Sequence, residues 1–218
     1  MPVRLKREIE KLKARLLTMS AKIEESVHLA VKSVEESDRT LAERVIAGDE
    51  EIDKLEVDTE EECLKILALY QPVAIDLRYI IAVLKINNDL ERIGDLAVNI
   101  AERGLQLCER ERVAPPLNLS SMAEKAQIML RKSLDALVNL DAVSAREVCA
   151  ADQEIDDIHR NMYCLIEEAV AKTPASFQSF ILLLGISRNL ERIADHATNI
   201  AEDVIYLTSG EIIRHGIG

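Results

Sequence analysis

The sequence is poor in the residues that build β-sheets and tight turns. It has no tryptophan, aromatic residues make up 3% of its 218 positions, and it contains only seven glycines and five prolines. Leucine, isoleucine, alanine, valine, glutamate, lysine and arginine dominate instead. Because strand-rich folds need aromatic strand formers and frequent turn residues, this composition disfavours them and is typical of an all-α protein.

Acidic residues outnumber basic ones, 39 to 27, which limits the partners that the surface can attract. The formal net charge is −12, and nucleic-acid binding needs clustered lysine and arginine, so we expect no nucleic-acid partner. The N-terminal segment is the exception, because basic residues predominate there. They form either a solvated helix face or a contact with an acidic lipid or partner. These residues are Arg4, Lys6, Arg7, Lys11, Lys13 and Arg15.

No segment has the pattern of a secretion signal or a membrane span. The N-terminus is charged, and no apolar run approaches the roughly 20 residues that cross a bilayer. The cysteines lack C-x-x-C spacing and fall within apolar helical patterns, so we predict that they are core residues in a reducing compartment. They are Cys63, Cys108, Cys149 and Cys164. We therefore expect a cytoplasmic protein that reaches a membrane only through its partners.

Two segments one hundred residues apart are nearly the same. The segment D-L-E-R-I-G-D-L-A-V-N-I-A-E (89–102) and the segment N-L-E-R-I-A-D-H-A-T-N-I-A-E (189–202) agree at ten of fourteen positions. An internal repeat constrains the architecture more than any single motif does. It predicts two similar halves of about 100 residues each.

Apolar periodicity and capping residues predict the same plan in both halves, with three long helices and one short connector. In the first half the elements are a long amphipathic helix from Leu5, a short helix from Asp38 to Gly48, a long helix capped by Asp49 that ends at Tyr70, and a helix with Pro72 in its first turn. In the second half they are a helix opened by a Ser121–Glu124 capping box, a short helix from Asp141 to Ala150, a long helix from Asp152 to Lys172, and a last helix with Thr173 and Pro174 at its start.

Three amphipathic helices can bury their apolar stripes against one another. The predicted fold class is therefore all-α, with two tandem antiparallel three-helix bundles related by the internal repeat. Residues 1–112 form the first bundle, 113–120 a proline-containing linker, 121–210 the second bundle and 211–218 a C-terminal tail.

Acidic and amide side chains share one face of the helix that carries each repeated segment. At 100° per residue, they lie within about 80° of one another, opposite the apolar residues. In the first half they are Glu91, Asp95, Asn99 and Glu102, and in the second half Glu191, Asp195, Asn199 and Glu202. The preceding helices carry a second pair of stripes, which are Asp49, Asp53, Glu56 and Glu60 in the first half and Asp152, Asp156, His159 and Tyr163 in the second.

Each half therefore has two acidic pairs with D/E-x-x-x-D spacing, which predict either a metal site or a solvated acidic face. Like charges one turn apart repel by a few tenths of a kcal/mol. A bound cation would make the electrostatic energy of the group attractive instead. Oxygen ligands suit Mg²⁺, Ca²⁺, Mn²⁺, iron or Zn²⁺. On the alternative hypothesis the protein is a metal-free helical adaptor whose acidic faces bind basic partners, with partial charge relief from Arg92 and Arg192.

A carboxylate-bridged di-metal oxidase is a third hypothesis, because such enzymes direct Glu-x-x-His pairs into a bundle core. Glu25 and His28 have this spacing but lie opposite the apolar stripe of their helix, so only Asp156 with His159 remains. His196 falls towards the apolar flank, where we expect packing or a hydrogen bond. No phosphate loop, nucleophile elbow or H-E-x-x-H motif occurs, and we expect a protein that is not an enzyme.

At four segments the chain resembles the PhoU family of phosphate-transport accessory regulators. They are G-D-E-E-I-D (48–53), Q-P-V-A-I-D-L-R (71–78) and the two repeated segments, the second extended to residue 211. The resemblance implies tandem three-helix bundles with multinuclear iron or zinc clusters on their surfaces. Manganese and magnesium are the alternatives that the oxygen-rich side chains allow. By position, the implied metal ligands are Asp49, Asp53, Glu91, Asp95, Asp152, Asp156, Glu191 and Asp195, with Asn99, Glu102, Asn199 and Glu202 as additional candidates.

The resemblance also implies a function. Family members repress phosphate-starvation genes when phosphate is plentiful, by linking a phosphate ABC transporter, through its cytoplasmic ATPase, to a membrane sensor histidine kinase; a homodimer is implied as well.

Two departures from the family pattern stand out. Ala194 replaces the glycine of E-R-I-G-D, and His159 and Tyr163 stand where the first half has Glu56 and Glu60, so the two sites need not bind the same metal or hold it equally well.

Overall fold

The computed structural model describes residues 3–111, 113–115 and 118–209, with residue 3 as backbone only. Within these residues the chain forms helices and no strand, which confirms the all-α prediction. The helices are α1 (Val3–Glu36), α2 (Arg39–Tyr70), α3 (Ala74–Cys108), α4 (Leu119–Asn139), α5 (Ala142–Lys172) and α6 (Phe177–Ser209), with a 3₁₀ turn at Pro174–Ser176. None of these described helices has the length and apolar character that crossing a bilayer requires. The predicted tail at 211–218 lies outside the described residues.

The two three-helix bundles, α1–α3 and α4–α6, pack side by side and share one hydrophobic core. α3 packs along α6 and α1 against α4, whereas α2 packs on α1 and α3, and α5 on α4 and α6. Lys85 near the start of α3 pairs with Asp203 near the end of α6 (Nζ–Oδ1 3.2 Å), and Arg103 near the end of α3 lies against Gly185 near the start of α6. α3 and α6 are therefore antiparallel central helices, and α2 and α5 lie at the outside.

The apolar stripe predicted for α1 is the face that the helix buries. All nine of its side chains are at most 7% exposed, and each fully buried leucine or isoleucine stabilises the fold by about 1.5–3 kcal/mol. The stripe consists of Leu5, Ile9, Leu12, Leu16, Met19, Ile23, Val27, Ala30 and Val34. The helical period of the sequence is thus sufficient to orient α1.

The predicted short connectors do not form, because α2 and α5 are each continuous helices. Gly48 lies inside α2, exposed to solvent, where a glycine costs only about 1 kcal/mol relative to alanine. The apolar side of α2 continues across it from Val45 to Ile52, both buried. Asp49 and Asp152 therefore lie in helix interiors instead of capping helices. Asp38, by contrast, does cap α2, accepting hydrogen bonds from the backbone of the first turn.

Three predicted helix starts also differ from the structure. Pro72 precedes the first turn of α3 instead of lying in it, because α3 begins two residues later. The prediction of a Ser121–Glu124 capping box is wrong, since α4 begins at Leu119. The side chain of Asn118 caps it by accepting a hydrogen bond from the Ser121 backbone amide (2.9 Å). Pro174 starts a 3₁₀ turn that leads into α6.

The cysteines are all free, but they are not all core residues. Cys63 is buried, Cys108 and Cys149 are partly buried, and Cys164 is exposed. The core prediction is therefore wrong for Cys164, because its position on α5 faces away from α4 and α6.

Close packing between α1 and α3 makes Gly104 sensitive to substitution. A Cβ at this position would lie 3.0 Å from Ser33 Oγ and 3.2 Å from Val34 Cγ2. We expect Gly104→Val, which copies the matching Val204 of the second half, to lower the free energy of unfolding by about 1–3 kcal/mol through overpacking. Urea denaturation monitored by circular dichroism measures this change.

Gly94→Ala is the matched control, because Ala194 occupies the same position in the second half. A Cβ at Gly94 would meet the side chain of Ile52 at 3.3 Å and that of Asp49 at 3.7 Å. We expect its stability to stay within about 1 kcal/mol of the wild type. Equal losses for both variants would contradict this description of the α1–α3 contact.

Candidate metal site

Two pairs of carboxylates line the first groove, which we define as the cleft between α2 and α3 that contains Asp49, Asp53, Glu91 and Asp95. Each pair is spaced by one helical turn. α3 buries its opposite face in the core, through Leu90, Ile93, Leu96, Ala97 and Ile100, so its two carboxylates are left on the flank beside α2. The helices approach closely at Gly94, where a Cβ would lie 3.7 Å from Asp49 Oδ1.

Partial burial and mutual repulsion make ionisation unfavourable in the first groove. Burial, followed by the charges of Asp53 and Asp95, raises the pKa of Asp49 to about 6. Burial and the charge of Asp95 also raise the pKa of Glu91, against the opposing effect of Arg92. The groove therefore holds negative charge that is incompletely compensated by the protein itself.

Arg92 compensates part of this charge from the solvent side. Its guanidinium lies 3.1 Å from Asp95 Oδ2 and 3.4 Å from Glu91 Oε2. Even so, Glu91 Oε2 is inaccessible to solvent and accepts no hydrogen bond. A buried carboxylate oxygen that accepts no hydrogen bond is costly, and a metal ion bound to that oxygen would offset the cost.

The second groove, between α5 and α6, contains Asp152, Asp156, Glu191 and Asp195 and repeats this arrangement. Asp152, Asp156 and Asp195 each place one carboxylate oxygen within 4.8 Å of the others. Burial raises the pKa of Asp152, Glu191 and Asp195, and the neighbouring carboxylates raise it further. Within the described residues, the first groove holds no equally close triplet, and its Asp95 is paired with Arg92.

The donor set of the second groove fits a divalent cation. Two oxygens bound to one ion at 2.0–2.6 Å lie no more than about 5 Å apart, and the separation of these three carboxylates is within this limit. Carboxylate donors are compatible with magnesium, calcium, manganese, iron and zinc. The structure thus brings together, in two groups of four, the eight residues that the resemblance implied as ligands.

Beyond the acidic pairs, the two grooves end differently. In the first groove the buried Asn87 amide donates to Glu56 Oε1 (3.2 Å) and to the Glu56 carbonyl (2.9 Å). In the second, His159 Nδ1 lies 2.9 Å from Ser187 Oγ. Asn87 and Ser187 are not among the sequence-predicted residues, although each lies one turn before Glu91 or Glu191 on the same stripe and could have been found from helical spacing.

The additional candidate ligands are less well placed. The Asn99 amide donates to the Asp95 carbonyl (2.8 Å), and Glu102 is exposed. Asn199 and Glu202 line a different cavity, of about 560 Å³, between α3 and α6. Glu202 still raises the pKa of Asp152, so it lies near the second groove without lining it.

Two histidines, His196 and His28, lie outside the two grooves. His196 Nδ1 lies 2.8 Å from Asp89 Oδ1, which confirms the expected hydrogen bond and links α6 to α3. His28 is exposed, and Glu25 is exposed and pairs with Arg44 (2.7 Å). The Glu25–His28 pair therefore lies outside the bundle interior, where an oxidase would need it.

Comparison with known proteins identifies relatives over most of the chain. The model of the PhoU domain matches residues 16–104 and again 119–204. The phosphate-specific transport system accessory protein PhoU homolog of Pseudomonas putida is 39% identical over 209 residues, covering 95% of this chain and 82% of its own. The Aquifex aeolicus protein of the same name is 38% identical over 213 residues, covering 98% and 96%.

Solved structures agree with this relationship. The crystal structure of PhoU from Pseudomonas aeruginosa superposes with a TM-score of 0.89 at 36% identity, covering 94% of this chain and 99% of that one. The phosphate transport system regulatory protein PhoU from Streptococcus pneumoniae gives a TM-score of 0.85 at 29% identity, covering 95% and 98%. Both confirm the predicted fold of tandem three-helix bundles.

The raised pKa of Asp49 predicts that removing its charge stabilises the metal-free protein. A carboxyl whose pKa is higher in the folded than in the unfolded state lowers stability as pH rises from about 4 through 6. Asp49→Asn should therefore raise the free energy of unfolding at pH 7 by about 1 kcal/mol, a value reduced for solvent screening in the open groove. The difference from the wild type should vanish near pH 4. Urea denaturation with a chelator present measures it.

Asp58→Asn serves as the control, because Asp58 is exposed on the same helix, away from the groove. Its stability should match the wild type at both pH values. A loss of stability in Asp49→Asn at pH 7 would show that the carboxylate is already compensated in the metal-free protein.

Proposed function

The chain belongs to the PhoU family, and we propose that it is an accessory protein of phosphate transport that represses the phosphate-starvation response when phosphate is plentiful. The relatives' names support a role in phosphate transport, and the neighbour from Streptococcus pneumoniae is described as a regulatory protein. On this proposal the protein works by binding and not by catalysis. Its partners are the cytoplasmic ATPase of a phosphate ABC transporter and a membrane sensor histidine kinase, and it acts as a homodimer.

Metal binding in the two grooves is the second part of the proposal. The observation that carries it is the grouping of four carboxylates in each groove, with raised pKa values and, in the first groove, a buried oxygen that accepts no hydrogen bond. A bound cation would replace repulsion by attraction. Iron and zinc are the first candidates, and more than one ion per groove would balance four carboxylates.

A metal-free adaptor is the alternative with a specific observation in its favour. Arg92 already pairs with both carboxylates that α3 contributes to the first groove. If the corresponding arginine of the second half, Arg192, acts in the same way when a partner binds, neither groove needs a cation. The acidic faces would then attract a basic partner surface directly.

Metal binding should raise the melting temperature of the protein. A ligand that binds only the folded state, at a concentration one hundred times its Kd, raises the free energy of unfolding by about 2.7 kcal/mol. For a protein of this size that corresponds to an increase of about 5–10 °C in melting temperature. We expect Zn²⁺ or Fe²⁺ to produce this increase in the chelator-treated wild type. Asp95→Ala and Asp195→Ala should each lose half of the bound metal, and the double variant should lose all of it. Elemental analysis and calorimetry measure both effects.

Asp157→Asn is the matched control, because Asp157 is exposed on α5 and pairs with Arg160 (2.7 Å) instead of facing the groove. This variant should bind metal as the wild type does. A wild-type protein that takes up no metal and melts at an unchanged temperature would favour the metal-free adaptor.

The regulatory part can be tested in cells. Deleting the gene should raise expression of a phosphate-starvation reporter in phosphate-rich medium, and the wild-type gene should restore repression. The double variant Asp95→Ala/Asp195→Ala, compared with Asp157→Asn, then shows whether repression needs the grooves. Unchanged reporter expression in the deletion strain would refute the regulatory proposal, whatever the metal content of the protein.

A further inference from the structure

The end of the second groove differs from that of the first by a paired substitution. Glu56 on α2 and Asn87 on α3 correspond, in the internal repeat, to His159 on α5 and Ser187 on α6. Each pair is joined by a hydrogen bond between the outer and the central helix, at 3.2 Å and 2.9 Å respectively. The helix-to-helix contact is kept, but its chemistry changes from carboxylate and amide to imidazole and hydroxyl.

Hydrogen bonding around Ser187 favours a proton on one imidazole nitrogen of His159, Nδ1. The Ser187 hydroxyl has one proton, and it donates that proton to the Leu184 carbonyl (3.0 Å). Ser187 is completely buried, so water does not offer the hydroxyl another partner. In the tautomer that completes this arrangement, His159 Nδ1 donates its N–H to Ser187 Oγ, which leaves Nε2 of the neutral ring with a free lone pair.

That imidazole lies in a cavity together with groove carboxylates. The cavity has a volume of about 560 Å³. Three carboxylates and three arginines line it beside His159 and Tyr163, namely Asp156, Glu191, Asp195, Arg160, Arg188 and Arg192. The ring of His159 is also held by an edge contact with Tyr163, with centroids 5.3 Å apart. An imidazole that is held through Nδ1 and lines a cavity with carboxylates has the second-partner hydrogen bond typical of a metal-binding histidine.

We propose that His159 is a metal ligand through Nε2 in the second groove, that Ser187 is its positioning residue, and that the two grooves consequently prefer different metals. This inference depends on the metal binding proposed above. The first groove offers only oxygen at the matching position, because the Asn87 amide fixes the Glu56 carboxylate there. Imidazole favours zinc, iron, nickel and copper, whereas all-oxygen sets favour magnesium, calcium and manganese. The second groove should therefore select zinc over manganese more strongly than the first.

The test uses full-length proteins in which one groove has been disabled. Asp49→Ala/Asp95→Ala leaves the second groove, and Asp152→Ala/Asp195→Ala leaves the first. Each protein is loaded with one equivalent of Cu²⁺ and studied by pulsed electron paramagnetic resonance, which detects the remote nitrogen of a bound imidazole. We expect the ¹⁴N modulation in the second-groove protein and none in the first-groove protein.

Variants at the histidine assign that signal. His159→Gln should abolish the modulation, whereas His196→Gln, which changes the histidine bonded to Asp89, should leave it intact. Ser187→Ala keeps the imidazole but removes its partner, and should weaken Zn²⁺ binding about tenfold. Circular dichroism confirms that each variant is folded, and the two groove proteins give the comparison without any change at His159.

Metal competition tests the consequence. The ratio of Mn²⁺ to Zn²⁺ dissociation constants should be at least tenfold larger for the second groove than for the first. His159→Glu/Ser187→Asn should lower the ratio to that of the first groove, and Glu56→His/Asn87→Ser should raise the ratio of the first. Metal bound in the second groove without ¹⁴N modulation would overturn this inference alone, while the absence of metal from both grooves would overturn it together with the proposed metal binding.

Discussion

The antiparallel packing of α3 along α6 is the contact on which both carboxylate groups depend. The apolar stripes of these two helices are buried against one another and against α1 and α4, and each buried leucine or isoleucine contributes about 1.5–3 kcal/mol. Repulsion between neighbouring carboxylates costs only a few tenths of a kcal/mol per pair. Core burial therefore determines how the central helices are rotated, and the carboxylates remain beside α2 and α5 despite their repulsion. A cation would relieve that repulsion without moving a helix.

Much of this arrangement is encoded in local sequence patterns. The repeat predicts two equivalent halves, and the 100° spacing correctly places Leu90, Ile93 and Ile100 opposite Glu91 and Asp95. The continuity of α2 and α5 could not be predicted in the same way. Gly48 and Asp49 locally favour a helix end followed by an N-cap. The helix continues through them because Val45 and Ile52, on either side of the glycine, are buried on the same face. Asp49 is available to the groove for that reason.

Differences between the halves were less accessible from the sequence than their similarity. The exchange of Glu56 for His159 is visible in the alignment of the two repeats, but its meaning depends on Asn87 and Ser187, which lie on other helices. Arg92 and Arg192 occupy matching positions, yet among the residues that the structure describes the close triplet of carboxylates forms in the second groove alone. Such contacts depend on side-chain conformations at an interface, and helical periodicity specifies only the face on which a residue lies.

The central claim is that each outer helix and its central helix hold metal between them. Its most direct test is an anomalous difference map from crystals grown with Zn²⁺ and measured on both sides of the zinc absorption edge. We predict peaks between Asp49, Asp53, Glu91 and Asp95 and between Asp152, Asp156, Glu191 and Asp195. Maps without a peak in either groove, or with peaks only at other surface carboxylates, would contradict the claim.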